Sequence, residues 1–273
     1  MFDNGLLQAC NGSTTKKGYL KLGRTNFNIT PHIHTQMKSI DKLNCCGKEY
    51  FYKVASKEEY DAEILLSQIA KSIGLNCAVY LPVNVGLMQN GVASDSLEQI
   101  GCICSREMDS TAKYITDSLL MPKEYGERDL KYYSEIITKD AMRDLIKTRL
   151  FQFASSNTDG NKDNMFYKLN ENGIIESVYS LDNAMGYNFV FDEGTYYNEF
   201  CDEFLTSEEM IEQFKENETM KQFIKPQELA EAIGSVNIQG IANDITNTLG
   251  YNIGQKFVDG ISSSYDSIAE QLI

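Results

Sequence analysis

One polar octet constrains the fold of this chain more than any other stretch: NTDGNKDN, from Asn157 to Asn164. Upstream, DLIKTRLFQFA (Asp144 to Ala154) carries helical apolar periodicity, and downstream MFYKL (Met165 to Leu169) is composed like a short strand. The octet is therefore expected as a loop between two buried elements, where a rigid scaffold presents functional groups. Eighteen residues after Asn164 stands Asp182, in the run VYSLDNAMG. Flanked by Leu181 and Ala184, its carboxylate is expected to be partly buried and to need partners, of which metal is one. An Asp, four residues, an Asn, and a second Asp beyond a strand-like segment is the polar arrangement that ATP-dependent phosphoryl transfer requires. One carboxylate orients or deprotonates the attacking hydroxyl, while a carboxamide and a second carboxylate hold magnesium ions against the phosphates. An ordinary polar turn would explain the loop but not Asp182. A calcium loop fits poorly, because the bidentate Glu that closes that pattern is missing.

The 273 residues, 42% of them hydrophobic and only four of them proline, suffice for one bilobal domain or two small ones. There is no apolar run long enough for a bilayer, and the N-terminal MFDNGLLQACNGSTTKKG has neither the apolar core nor the cleavage site of a secretory signal. Seven scattered cysteines form no Cys-x-x-Cys pair and read as small apolar residues of a reduced protein, so the cytoplasm is the expected location. A formal charge of −14 argues against nucleic acid or an anionic membrane as partner.

The first third is strand-like and the remainder mostly helical. Gly18–Leu22, Ile33–Ile40 and Glu49–Val54 read as antiparallel strands, with a break at NCCGK (Asn44 to Lys48). From Lys57 an amphipathic helix is expected, with Ile64, Leu65, Ile69 and Ile73 on one face and Gly74 as its stop. Strands are expected at Cys77–Val83 and Ile100–Met108, and helical periodicity over Lys131–Ala154. A strand pair, Met165–Leu169 and Ile174–Leu181, brackets the turn NENG. From Thr206 to Ile273 several helices follow, the first capped by Thr206 or Ser207 before EEMIEQF. His32 and His34 alternate in PHIH and lack a third ligand with metal spacing, so they read as exposed strand residues.

Lys53, in the strand EYFYKV, precedes Glu63 of the expected helix by ten residues. A kinase places a lysine on such a strand against the ATP phosphates and holds it with a carboxylate from the adjacent helix. A snorkelling edge lysine and a solvated glutamate are the bland alternative. Rival carboxylates, Glu58 and Glu59, stand at the helix start, where the dipole favours acids anyway. In GCICSREMDS, Gly101 to Ser110, an apolar strand gives way to a charged segment. In a kinase the chain crosses between lobes there, and backbone groups near Glu107 and Met108 would meet the adenine edge.

Taken in order, Lys53, AEILLSQIAKSIGLN with Glu63, NTDGNKDN and SLDNAMG resemble the HipA-like serine/threonine kinases, distant relatives of the phosphatidylinositol kinases. The resemblance covers roughly Tyr50 to Gly186. It implies an α+β, two-lobed protein kinase-like fold in a single domain, with a strand-rich N-lobe over 1–107 and a mainly helical C-lobe over 108–273. It further implies Asp159 as the catalytic Asp, Asn164 and Asp182 as magnesium ligands, Lys53 as the phosphate-contacting lysine, Glu63 as its partner and Asn157 as the supporting Asn that opens the motif. The family usually has His two residues after the catalytic Asp, where this chain has Asn161. Asn can donate a hydrogen bond but carries no charge, so transition-state stabilisation is either weaker or taken over by Lys162. No clear Gly-rich phosphate loop is present; GSTTKKG (Gly12 to Gly18) and the turn within Ile40–Gly47 are the candidates. The chain is shorter than a full toxin of this type, so an additional N-terminal module is expected to be absent.

The function expected is ATP- and Mg2+-dependent phosphoryl transfer to Ser or Thr hydroxyls of a protein substrate, the chain itself included. A nucleotide-binding pseudokinase is the alternative that Asn161 and the missing glycine loop motivate. A small-molecule or lipid kinase is a third, with the acidic surface weighing against lipid.

Overall fold

The computed structural model describes residues 20–21, 28–34, 39–45, 48–54, 56–89, 92–105, 113–116, 120, 130–157, 164–181, 196–198 and 203–273. Side chains are described over 56–82, 113–116, 120, 133–157, 164–181 and 205–273.

The strand-forming first third builds a six-stranded sheet. Its members are β1 (Leu20–Lys21), β2 (Asn28–His34), β3 (Ser39–Cys45), β4 (Lys48–Val54), β5 (Val79–Gln89) and β6 (Val92–Ser105), in the order β1-β5-β6-β4-β3-β2. The break at NCCGK is the β3–β4 hairpin, where Cys45 pairs with Lys48. The single strand expected over Ile33–Ile40 is instead a reversal, because His34 pairs with Ser39 and Ile33 with Ile40. The intervening Thr-Gln-Met-Lys contains no turn former, so β-propensity runs through the point where the chain turns back. The ladder is also irregular between Pro31 and Ile33, which interrupts the alternation of His32 and His34. Strands β5 and β6 run past their expected bounds because they pair with each other down to Gln89 and Val92, with Asn90-Gly91 between them. That dipeptide is a strong local hairpin signal. The expected strand near Gly18–Leu22 does form, but β1 pairs parallel with β5 rather than in a hairpin.

The helices are α1 (Lys57–Ser72), α2 (Leu130–Ile136), α3 (Lys139–Ala154), α4 (Ser207–Glu216), α5 (Glu218–Lys221), α6 (Pro226–Gly234), α7 (Ile238–Leu249) and α8 (Gln255–Leu272). A capping box of Ser56 and Glu59 starts α1, and Gly74 ends it in a left-handed turn at φ 81°. Gly74 and Leu75 return their N–H groups to Lys71 and Ala70, the Schellman pattern in which Gly lacks the Cβ penalty. The helix is not amphipathic as expected. Tyr60 to Ala70 are buried on every side, because α1 packs on β5 and β6 and is also met by α7.

Strands β7 (Lys113–Thr116), β8 (Met165–Leu169) and β9 (Ile175–Ser180) form a second sheet in that order, and β10 (Tyr196–Asn198) pairs with β11 (Glu203–Leu205). The hairpin across NENG is as expected, with the Asn170 side chain accepting the N–H groups of Asn172 and Ile174. The helical stretch expected over Lys131–Ala154 forms as two helices, divided at Ile137–Thr138. Ile137 bridges to Ile175, the N–H of Thr138 donates to Ile175 O at 2.8 Å, and Thr138 then caps α3. Thr206 forms a capping box with Glu209 before α4, as expected. On α8, Val258, Ile261, Tyr265, Ile268 and Leu272 form the buried stripe that packs against α3, α4, α6 and α7. Each such side chain contributes roughly 1.5–3 kcal/mol of burial. Among the described residues, no helix is long and apolar enough to cross a membrane.

Candidate active site

Helix α3 delivers the chain to the polar octet through a strained exit. Ser156 N–H donates to Phe153 O at 3.0 Å and Asn157 N–H to Gln152 O at 2.9 Å, a Schellman turn. Its left-handed position, where Gly is usual, is occupied by Ser156 at φ 50°. An L-residue there costs on the order of 1 kcal/mol and persists only where surrounding structure enforces it. That enforcement comes from α8. The Ser264 hydroxyl donates to Ala154 O at 2.8 Å, and the hydroxyls of Ser155 and Tyr265 share a hydrogen bond at 3.0 Å. Burial pushes the Tyr265 phenol well above its ordinary pKa, outweighing the opposite effect of Ser155, so it remains a neutral hydroxyl. Ser155, Ser156 and Asn157 are all buried. Asp159, Asn161 and Lys162 lie outside the described residues.

Asn164 resumes the described chain immediately before β8. Leu181, at the far end of β9, donates its N–H to Asn164 O at 2.8 Å. Asn164 therefore adjoins the residue that precedes Asp182, although Asp182 itself lies outside the described residues. The Asn164 Nδ2 is buried and has no hydrogen-bond partner among the described residues, and the same holds for Ser180 Oγ. The unpartnered Nδ2 is a donor and so would meet an acceptor, whereas a magnesium ion would be held by the amide Oδ1. The donor set of a carboxamide and a carboxylate is hard oxygen, which suits magnesium. Ser180 N–H also donates to Asn76 O at 3.0 Å, and Ala78 N–H to Ser180 O at 3.1 Å. The chain leaving α1 is thus joined to the strand that leads to Asp182.

Glu63 is fully buried, which removes its reading as a solvated helix residue. Glu59 is engaged in the cap of α1 and Glu58 is exposed beside it, so neither rival carboxylate is inside. Glu63 and Ser67 share one face of α1 at i, i+4 spacing. The Ser67 hydroxyl accepts Tyr80 N–H at 3.1 Å, so that face is turned to the start of β5. Across the sheet, Pro82 of β5 pairs with Cys102 of β6 and Cys102 with Lys53 of β4. Lys53 thus occupies the third strand of the layer on which α1 packs; its side chain lies outside the described residues. Glu107, Met108 and the GSTTKKG run also lie outside them, as does part of the Ile40–Gly47 turn.

Two features escaped the sequence reading. Asp61 is only 5% exposed and accepts hydrogen bonds from Tyr251 OH at 2.6 Å and Gly254 N–H at 2.9 Å. The signal available was an Asp inside the apolar register of α1, but its partners lie some 190 residues away in sequence. Ser155 and Tyr265 meet across a separation of 110 residues, with no local cue.

No protein-family model matches the sequence, and no curated protein matches it. Solved structures do. The Helicobacter pylori proinflammatory kinase CtkA is similar with a TM-score of 0.60 at 10% identity, over 93% of this chain and 97% of that chain. A chain of the Shewanella oneidensis MR-1 toxin–antitoxin complex of HipA, HipB and operator DNA aligns with a TM-score of 0.46 at 12% identity, over 99% of this chain and 70% of that chain. The fold is thus kinase-like over nearly the whole chain.

Proposed function

We propose that this chain is an ATP- and magnesium-dependent kinase of two lobes that transfers the γ-phosphoryl group to Ser or Thr hydroxyls of a protein, its own included. The observation that carries this reading is the hydrogen bond from Leu181 N–H to Asn164 O, which closes the open end of the β8–β9 pair and makes neighbours of its two ends, each adjoining or bearing one candidate metal ligand.

Asp159 would accept the proton of the attacking hydroxyl, on the loop that the Ser156 turn introduces. Asn164 and Asp182 would hold magnesium, which when bound neutralises the β- and γ-phosphates. Lys53, kept in place by buried Glu63, would contact the phosphates, and Asn161 and Lys162 would face the charge that develops during transfer. Backbone groups at Glu107 and Met108 would bind adenine. The protein is proposed to work in the cytoplasm, without nucleic acid or membrane as partner, as its acidity favours.

Incubation with γ-labelled ATP and magnesium, alone and with a general protein substrate, tests this reading beside Asp159→Ala and Asp182→Ala. Label on protein that vanishes in both variants is expected. Label on lipid or a small molecule would reassign the acceptor. No transfer, with magnesium-dependent ATP binding weakened by Asp182→Ala, would favour the pseudokinase that Asn161 motivates. Absence of both transfer and binding overturns the reading.

A further inference from the structure

Helix α1 is held at two points on different faces. On the face it shares with Glu63, Ser67 binds the start of β5. On another, Asp61 reaches the connection between α7 and α8: its Oδ1 accepts from Tyr251 OH at 2.6 Å and its Oδ2 from Gly254 N–H at 2.9 Å. Lys57 completes the group, with its Nζ 2.9 Å from both carboxylate oxygens and 5.1 Å from the centre of the Tyr251 ring. The approach is close: a Cβ at position 254 would stand 3.2 Å from Asp61 Oδ2, so the carboxylate would have to give way slightly. Gly254 also begins α8, the helix whose Ser264 and Tyr265 fix the exit of α3. One helix therefore ties the Glu63-bearing element and the approach to Asp159 to a common frame.

We propose that Asp61 is a positioning residue: through Tyr251 and Gly254 it seats α1 so that Glu63 can hold Lys53, which makes the seating of this helix a built-in property of the chain. The proposal rests on the kinase reading given above. Kinase activity depends on the placement of the helix that bears the glutamate. Here its outer side is covered by α7 and the turn into α8, so no separate protein is needed to press it into place. The carboxylate suits this task because it takes charge-assisted hydrogen bonds in a buried setting, where they are stronger and more directional than at the surface.

The test compares wild type with Tyr251→Phe, Asp61→Ala and Glu63→Gln, and with Arg143→Ala as a destabilised control remote from the clamp. Amide exchange over residues 60–70 is read without nucleotide, and KM for ATP and kcat are read separately with magnesium. Tyr251→Phe is expected to speed exchange in α1 while α8 stays protected, and to raise KM for ATP roughly tenfold, the effect of one strong buried hydrogen bond. In a Glu63→Gln background the same change should add nothing to KM. Should Asp61→Ala fail to fold, Tyr251→Phe carries the test. An unchanged KM for ATP, an effect that adds in full to that of Glu63→Gln, or an equal rise in Arg143→Ala overturns the proposal. A wild type that neither binds ATP nor transfers phosphate sinks the kinase reading first and the proposal with it, which separates that failure from a failure of the clamp alone.

Discussion

The hydroxyl of Tyr265 lies 3.0 Å from the hydroxyl of Ser155, inside the core, at the residue that ends α3. The pair joins the C-terminal helix to the end of α3, two residues before the octet that contains Asp159. In Tyr265→Phe the Ser155 hydroxyl is left buried without that partner, and such an orphan costs about 1–3 kcal/mol. Urea unfolding should register a loss of that size, and phosphoryl transfer should fall because the exit of α3 loses its anchor.

Ser156, at φ 50°, occupies a position that suits glycine. Ser156→Gly should stabilise the fold by up to about 1 kcal/mol, the relieved left-handed strain exceeding the added freedom of the unfolded chain. The midpoint of chemical denaturation measures it; an unchanged or lower midpoint would show that the Ser156 side chain is itself needed.

Asn164 should separate activity from stability. Its Nδ2 has no partner among the described residues, so Asn164→Ala breaks no hydrogen bond of that nitrogen. A stability change within about 1 kcal/mol is expected. If Asn164 holds metal as proposed, its loss should slow transfer on the order of a hundredfold or more, since metal-ion stabilisation is worth several kcal/mol. Thermal unfolding beside a labelled-phosphate assay gives both numbers.

Glu228 should give an acid-sensitive contribution. Its carboxylate accepts from Arg143 Nη2 at 2.7 Å and from Lys225 N–H, and the Arg143 bond first, then the backbone bond, holds its pKa below the ordinary value. A depressed folded-state pKa stabilises above the unfolded pKa, and that stability is lost as pH falls through the folded value. Wild type should therefore melt above Glu228→Gln at pH 7, with the difference closing as pH falls below about 4, the ordinary range for Glu. The pair is partly exposed, so the difference should be small and reduced by salt. A gap independent of pH would show that shape rather than charge matters at this position.

Local rules explain what could be read in advance. The β3–β4 break, the Gly74 stop, the NENG hairpin and the Thr206 cap each depend on residues within one turn of one another, so the sequence states them directly. The Asn90-Gly91 hairpin was equally local, and it passed unread. The reversal between His34 and Ser39 carried no turn former, and the split between α2 and α3 arises because Ile137 finds Ile175 from another part of the chain.

The same division runs through the candidate site. The identities and spacing of Lys53, Glu63, Asp159, Asn164 and Asp182 belong to the sequence alone, and the expectation of phosphate and magnesium chemistry rests on those residue types in that order. Tertiary structure decided that Glu63 is buried, that Tyr265 meets Ser155 at the exit of α3, and that Asp61 grips the turn into α8. Those facts join residues far apart in sequence, and no local propensity encodes such a pairing: it exists only once apolar burial has brought the elements together.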